Sequence, residues 1–174
     1  MKGVRFQPRD AAMIAWLMTA ALASTLLAST LTSASAQTAP VAQAAPEPFQ
    51  PEIGEIMMFQ QLRHAKLWFA GQMGNWPLAE YEVKELREGF ETVSKYYPTF
   101  NNVPLAQMID AIRDTNFAEL DKAIADHDRG KFSRAFDGLT QACNACHQGN
   151  DLGFIAIRRP TSPPFSNQSF EPKK

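Results

Sequence analysis

The sequence predicts an all-α protein: an antiparallel four-helix bundle followed by an extended C-terminal tail. Apolar residues recur at helical spacing along four successive segments between residues 52 and 149. Breaks containing proline, glycine or asparagine separate these segments, and no alternating apolar–polar run of useful length predicts a strand. Four helices joined by short loops are the economical arrangement for such a pattern.

Composition narrows the classes of function. The chain has 174 residues, of which 45% are hydrophobic, so wholesale disorder is excluded. A formal net charge of −1 gives no basic field, and we expect no nucleic-acid partner. Two cysteines are too few for a multi-disulfide scaffold, and the length is short for a barrel enzyme.

Residues 1–36 have the pattern of a secretory signal peptide. A basic start precedes an apolar run over residues 11–28, and Ala34-Ser35-Ala36 matches a cleavage site. A retained membrane anchor is the alternative, because the apolar run approaches the length of a span. Cleavage would leave a mildly acidic chain with no later membrane span, exported to the periplasm. Residues 37–51 are rich in Ala, Pro and Gln and predict a flexible leader.

The first two helices are predicted at residues 52–75 and 76–97. The first carries two apolar stripes that together make a wide face, which permits a homodimer without requiring one. Asn75 is expected to cap the second helix, with Pro77 in its first turn. Pro98 is expected to end it.

The rest of the bundle is predicted at residues 103–128 and 131–148. Asn116 with Glu119 resembles a capping box, so the third helix is expected to kink or restart there. Arg129-Gly130 is expected to mark its end. The large apolar residues expected in the core and pocket walls are Trp68, Phe69, Met73, Trp76, Met108 and Phe136.

The tail, residues 150–174, contains four prolines, which deny it a regular helix. It also carries several apolar residues, so we expect it to lie extended across the bundle; a disordered end is the alternative.

The one strong chemical signal is Cys143-Asn144-Ala145-Cys146-His147, because Cys-x-x-Cys-His is the attachment signature of c-type haem. Two thiols must reach the two vinyl groups on one edge of the porphyrin, and the next imidazole must reach the iron. On a helix these three residues can face one flat cofactor. The motif therefore predicts one covalent haem c bound by Cys143 and Cys146, with His147 as the proximal iron ligand.

The two cysteines have two alternative roles, a redox pair or zinc ligands. A thioredoxin-like redox pair needs a strand–helix context that the sequence does not predict. A zinc site needs a further ligand, which His64 or His127 could supply, although zinc spacing is not evident.

A helical bundle with this motif near its end resembles the cytochrome c-prime family, which includes low-spin relatives with a methionine ligand. The resemblance covers roughly residues 52–149 and is carried by the motif and its position. It implies that the sixth iron ligand comes from the first helix, where Met57 is the first candidate and Met58 and His64 are alternatives. The tail after the motif is longer than the family normally has.

These features predict an exported single-electron carrier that meets redox partner proteins, rather than an enzyme. The alternative is a protein that binds NO or CO at a vacant or weakly ligated distal site. Arg63 and Lys66 on the first helix are plausible partners for haem carboxylates, unless they are simply solvent-exposed.

Overall fold

The computed structural model describes residues 49–173, and all the regular secondary structure in this range is helical, as predicted. The predicted signal peptide and residues 37–48 of the predicted leader lie outside the described residues. The helices are α1 (Ile53–Met73), α2 (Trp76–Tyr96), α3 (Leu105–Ile112), α4 (Ala118–Ala125) and α5 (Arg129–Gly149). None of the helices within 49–173 is long and apolar enough to cross a membrane.

A tight corner joins α1 to α2. Gly74 ends α1 in the left-handed region, with φ of 72°, where a side chain would be strained. Asn75 then accepts a hydrogen bond from the Leu78 backbone N–H at 3.3 Å, and Pro77 lies in the first turn of α2. The predicted cap is therefore confirmed, and α1 and α2 pack along their length.

The interruption predicted near residues 114–116 is a π-helical turn, Arg113–Phe117, that joins α3 to α4. Asn116 does not cap a new helix, because the backbone before and after the turn stays right-handed helical and no side chain caps α4. One extra residue is absorbed in a wider turn, so the two short helices form one continuous rod.

The end predicted at Arg129-Gly130 is wrong, because these residues form the first turn of α5. Asp128 caps this helix instead, and its side chain accepts the Lys131 backbone N–H at 2.9 Å.

The core lies between the helices and contains aliphatic and aromatic side chains. The largest fully buried apolar residues include Leu67, Val83, Leu86, Ile109, Phe117, Leu120, Phe132, Phe136 and Leu139. Met73 was expected in this core but is 44% exposed, because it lies in the last turn of α1 beside the corner.

Residues 151–173 contain neither helix nor strand, yet they contact the bundle at several points. Arg159 forms a two-pronged ion pair with Asp137 of α5, at 2.5 and 2.6 Å. Further along, Phe170 is buried against Phe69 of α1.

Candidate functional site

The six residues singled out from the sequence line one cavity of about 310 Å³. Three of them belong to α1 and three to α5, and they are Met57, Met58, His64, Cys143, Cys146 and His147. Helical spacing explains the arrangement: Met57 and His64 are two turns apart on one side of α1, and the motif covers slightly more than one turn of α5. The fold therefore places both predicted ligand sets at one site.

The remaining walls of the cavity are mostly apolar. They include Leu86 and Phe90 of α2, Ile112 of α3, Leu139 of α5, and Leu152 and Ile155 of the segment after α5. The volume lies at the lower end of the range, about 300–1,000 Å³, that is usual for cofactor and small-molecule sites. An apolar wall of this kind suits a flat hydrophobic ligand.

Cys143 and Cys146 are free thiols. Burial raises the pKa of the Cys143 thiol to about 12, and burial also raises the pKa of Cys146. Both thiols stay protonated near neutral pH. A disulfide oxidoreductase instead depends on a cysteine with a lowered pKa, which is not the environment seen at this site.

His147 has one ring nitrogen occupied and the other left available. Its Nδ1 lies 2.8 Å from the backbone carbonyl oxygen of Ile155. A carbonyl oxygen can only accept a hydrogen bond, so Nδ1 carries the ring proton and donates the hydrogen bond. In the neutral imidazole, Nε2 then keeps a lone pair for a metal, which is the arrangement of a histidine ligand held by an outer hydrogen bond.

His64 is buried and also hydrogen-bonded, but through its other nitrogen. Thr140 Oγ1 donates to the Phe136 carbonyl at 2.9 Å, so it must accept from His64 Nε2–H, 2.9 Å away. Burial lowers the pKa of His64 from 6.5 to about 4, so its ring is neutral at physiological pH. Its ring packs against that of Phe136, with 4.3 Å between centroids.

The two methionine candidates differ in exposure. Met57 is half-buried and packs against the core, whereas Met58 is 60% exposed at the cavity edge.

The basic residues of α1 form ion pairs with α2: Arg63 pairs with Glu85 at 3.1 Å, and Lys66 pairs with the buried carboxylate of Glu82. Both ion pairs join α1 to α2, so neither cation is simply solvent-exposed, and neither is directed to a ligand carboxylate in this structure.

The residues at this cavity fit the donors that a c-type haem would use. Two unpaired thiols, an imidazole with a free Nε2 and a thioether from the facing helix share an apolar cavity. Within residues 49–173, no group of three or more His, Cys, Asp or Glu could hold a metal ion. A porphyrin-held iron would need only axial ligands from the protein, so this finding does not test a haem.

No family model, curated protein or solved structure matches this chain. The resemblance to cytochrome c-prime thus rests on the motif, its place on the last helix and the helical fold.

Sequence reasoning missed three residues at or beside the site: Thr140, which accepts from His64; Ile155, whose carbonyl accepts from His147; and Asn144, which is hydrogen-bonded to Ile157. Thr140 could have been found, because it precedes Cys143 by three residues and His147 by seven, on the same side of α5. Asn144 stands inside the motif, where any residue is allowed. Ile155 acts through its backbone, which leaves no signature in the side-chain pattern.

Proposed function

We propose that this protein is an exported c-type cytochrome that carries one covalent haem and transfers single electrons. The observation that supports this most strongly is the shared cavity, in which the Cys143–His147 motif on α5 lies with Met57 and His64 of α1. In this proposal Cys143 and Cys146 hold the haem by thioether bonds, and His147 supplies the proximal nitrogen. Bound haem would supply an iron that cycles between its ferric and ferrous states.

Met57 is the proposed sixth ligand. Its side chain is half-buried beside the core, so ligation would remove less of it from water than ligation by Met58 would. Met58 would have to bring in a side chain that is 60% exposed. His64 already donates from Nε2 to Thr140, and only its Nδ1 lone pair remains. A methionine ligand also raises the reduction potential relative to a second histidine.

The apolar walls support electron transfer. Leu86, Phe90 and Leu139 give the cavity an apolar lining, and the polarity of the shell around a haem is one means of setting its potential. The partially exposed edge at Met58 and Ile155 provides a place where a redox partner protein could approach.

The decisive experiment is the absorption spectrum of the purified, reduced protein with and without carbon monoxide. A sharp low-spin spectrum that carbon monoxide leaves unchanged would support a six-coordinate electron carrier. A high-spin spectrum that shifts with carbon monoxide would overturn it in favour of the gas-binding alternative. Covalent attachment is tested by intact mass: wild type should carry the added mass of one haem, and Cys143→Ala/Cys146→Ala should not.

The sixth ligand is identified by single substitutions in the same assay. Met57→Ala should convert the spectrum to a high-spin form that binds carbon monoxide, whereas Met58→Ala and His64→Gln should not. Met73→Ala is the matched control, because this methionine also belongs to α1 but is exposed and does not line the cavity. If His64→Gln alone changes the spin state, the ligand assignment passes to His64.

Export is part of the proposal and has its own test. Cleavage after Ala36 would give a periplasmic protein that begins at Gln37, which N-terminal peptide mass spectrometry would detect. Retention of residues 1–36 with membrane association would instead indicate an anchored form. Sedimentation of the mature protein would show whether the wide apolar face of α1 supports a homodimer.

A further inference from the structure

We propose that Asn144 is a positioning residue that clamps the segment after α5, so that the Ile155 carbonyl holds the His147 ring in its ligating tautomer. The inference rests on the proposed function and deepens it. It assigns a role to a residue inside the motif and to a segment that the haem-attachment signature does not include.

The clamp consists of two hydrogen bonds to one backbone unit. Asn144 Nδ2 donates to the Ile157 carbonyl at 2.9 Å, and the Ile157 backbone N–H donates to Asn144 Oδ1 at 2.7 Å. The planar side-chain amide thereby pairs with the backbone as a neighbouring β-strand would. Because Asn144 lies on a rigid helix, it fixes Ile157 relative to α5.

Fixing Ile157 also fixes Ile155, two residues earlier. The Ile155 N–H donates to the Leu152 carbonyl at 2.8 Å, and the Leu152 N–H donates to the His147 carbonyl at 2.8 Å. The segment is therefore held at both ends, by the end of α5 and by Asn144. Between these points the Ile155 carbonyl accepts His147 Nδ1–H at 2.8 Å.

This carbonyl has three effects on the ligand. It selects the tautomer with the proton on Nδ1, which leaves Nε2 free, and it limits rotation of the ring. A hydrogen-bond acceptor at Nδ1 also makes the imidazole a stronger donor to its metal, which favours the ferric state and lowers the reduction potential. Asn144 acts on the iron only through this chain of contacts.

Asn144→Ala is the first test, with Gln141→Ala as the matched control on an exposed position of α5. In Asn144→Ala, exchange of the Ile157 amide hydrogen should become about five-fold faster or more, as expected for one lost hydrogen bond. The reduction potential of the haem-loaded variant should rise. Gln141→Ala should change neither quantity. Asn144→Asp, which keeps the acceptor for Ile157 N–H, should retain most of the exchange protection.

A second variant separates positioning from general stability. In the full-length chain, Ile157→Pro removes the N–H that Asn144 Oδ1 accepts and should itself raise the potential, and adding Asn144→Ala in this background should raise it less than in the wild-type chain. An equal rise in both backgrounds, or an unchanged potential in Asn144→Ala alone, overturns the positioning role. If the protein carries no haem, the proposed function fails, while the exchange measurement still tests the clamp independently.

Discussion

His64 of α1 donates from Nε2 to Thr140 Oγ1 of α5, 2.9 Å away, and so joins the two helices that contribute the proposed iron ligands. Both partners are buried, and the Thr140 hydroxyl donates its own hydrogen bond to the Phe136 carbonyl. The bond fixes the facing sides of the cavity with a neutral polar pair. It is also a contact whose loss would leave a buried N–H without a partner.

Replacing Thr140 should therefore lower the free energy of unfolding by more than the loss of its own hydrogen bond to Phe136, because His64 also loses its acceptor. Thr140→Val keeps the shape of the side chain but removes the acceptor for His64, and we expect the free energy of unfolding to fall by about 1–3 kcal/mol. Urea denaturation measures this. Thr92→Val is the control, because Thr92 also donates to the carbonyl four residues back but near the surface. Equal losses in the two variants would contradict a special role for the His64–Thr140 pair.

Acid stability should depend on His64. Burial lowers its pKa from 6.5 to about 4 in the folded protein. At pH values between these two, His64 is protonated in the unfolded chain but neutral in the folded chain. The free energy of unfolding contributed by His64 is thus complete above pH 6.5 and is lost as the pH falls toward 4. At about 1.4 kcal/mol per pKa unit, the loss is about 3 kcal/mol.

Denaturation of wild type and His64→Gln at pH 7, 6, 5 and 4 tests this. The difference in unfolding free energy between them should shift in favour of the variant as the pH falls. A constant difference over that range would mean that His64 does not resist protonation in the folded protein.

The fold was largely predictable from sequence, and the failures have physical causes. Asn75 and Pro77 were placed correctly, because caps and first-turn prolines act locally. The π turn at Arg113–Phe117 could be located but not described, since a wider turn and a broken helix disturb the apolar period in the same way. Asp128 was missed because the adjacent Arg129-Gly130 looks like a turn.

The site was predictable to the extent that it depends on spacing. Cys143, Cys146 and His147 form a recognisable motif. Met57 and His64 are candidates because the resemblance to cytochrome c-prime implies a ligand from the first helix, and helical spacing then puts the two residues on one face. The Ile155 carbonyl could not be foreseen, because a backbone group brought in by an irregular segment has no side-chain pattern. The ion pair between Lys66 and Glu82 could not be foreseen either, because the two residues lie on different helices; the sequence leaves Lys66 as a haem-carboxylate partner or a solvent-exposed cation.

The Lys66–Glu82 pair offers a third prediction. Glu82 is fully buried, and burial is the main cause of its raised pKa. Among the residues that the structure describes, Lys66 is its only ion-pair partner. Lys66→Met should lower the free energy of unfolding by about 3–5 kcal/mol, because it leaves a buried carboxylate without a counter-charge. Lys66→Met/Glu82→Leu should recover most of this, since a well-packed apolar pair does not carry the cost of desolvation.

Lys84→Met is the control for that experiment, because the Lys84–Glu88 pair is exposed and should contribute less than about 1 kcal/mol. Chemical denaturation near pH 7 measures all three variants. Failure of the double variant to recover stability would show that packing around the ion pair, rather than its charge, carries the contribution.

Close packing of α1 on α5 gives the last prediction. Gly71 is buried, and a Cβ added there would overlap the ring of Phe132. That ring cannot move easily, because it is fully buried and packs against Trp76 and Phe136. Gly71→Ala should therefore lower the free energy of unfolding by about 1–3 kcal/mol, although alanine is the better helix former.

Gly54→Ala separates the two opposing effects, because a Cβ at Gly54, also in α1, meets nothing within 4 Å. Gly54→Ala therefore gains the higher helix propensity of alanine without a steric clash, and the free energy of unfolding should rise by up to about 1 kcal/mol. Thermal or urea denaturation of both variants decides the matter. If Gly71→Ala were as stable as Gly54→Ala, the two helices could separate without loss, and the cavity between them would not be set by this contact.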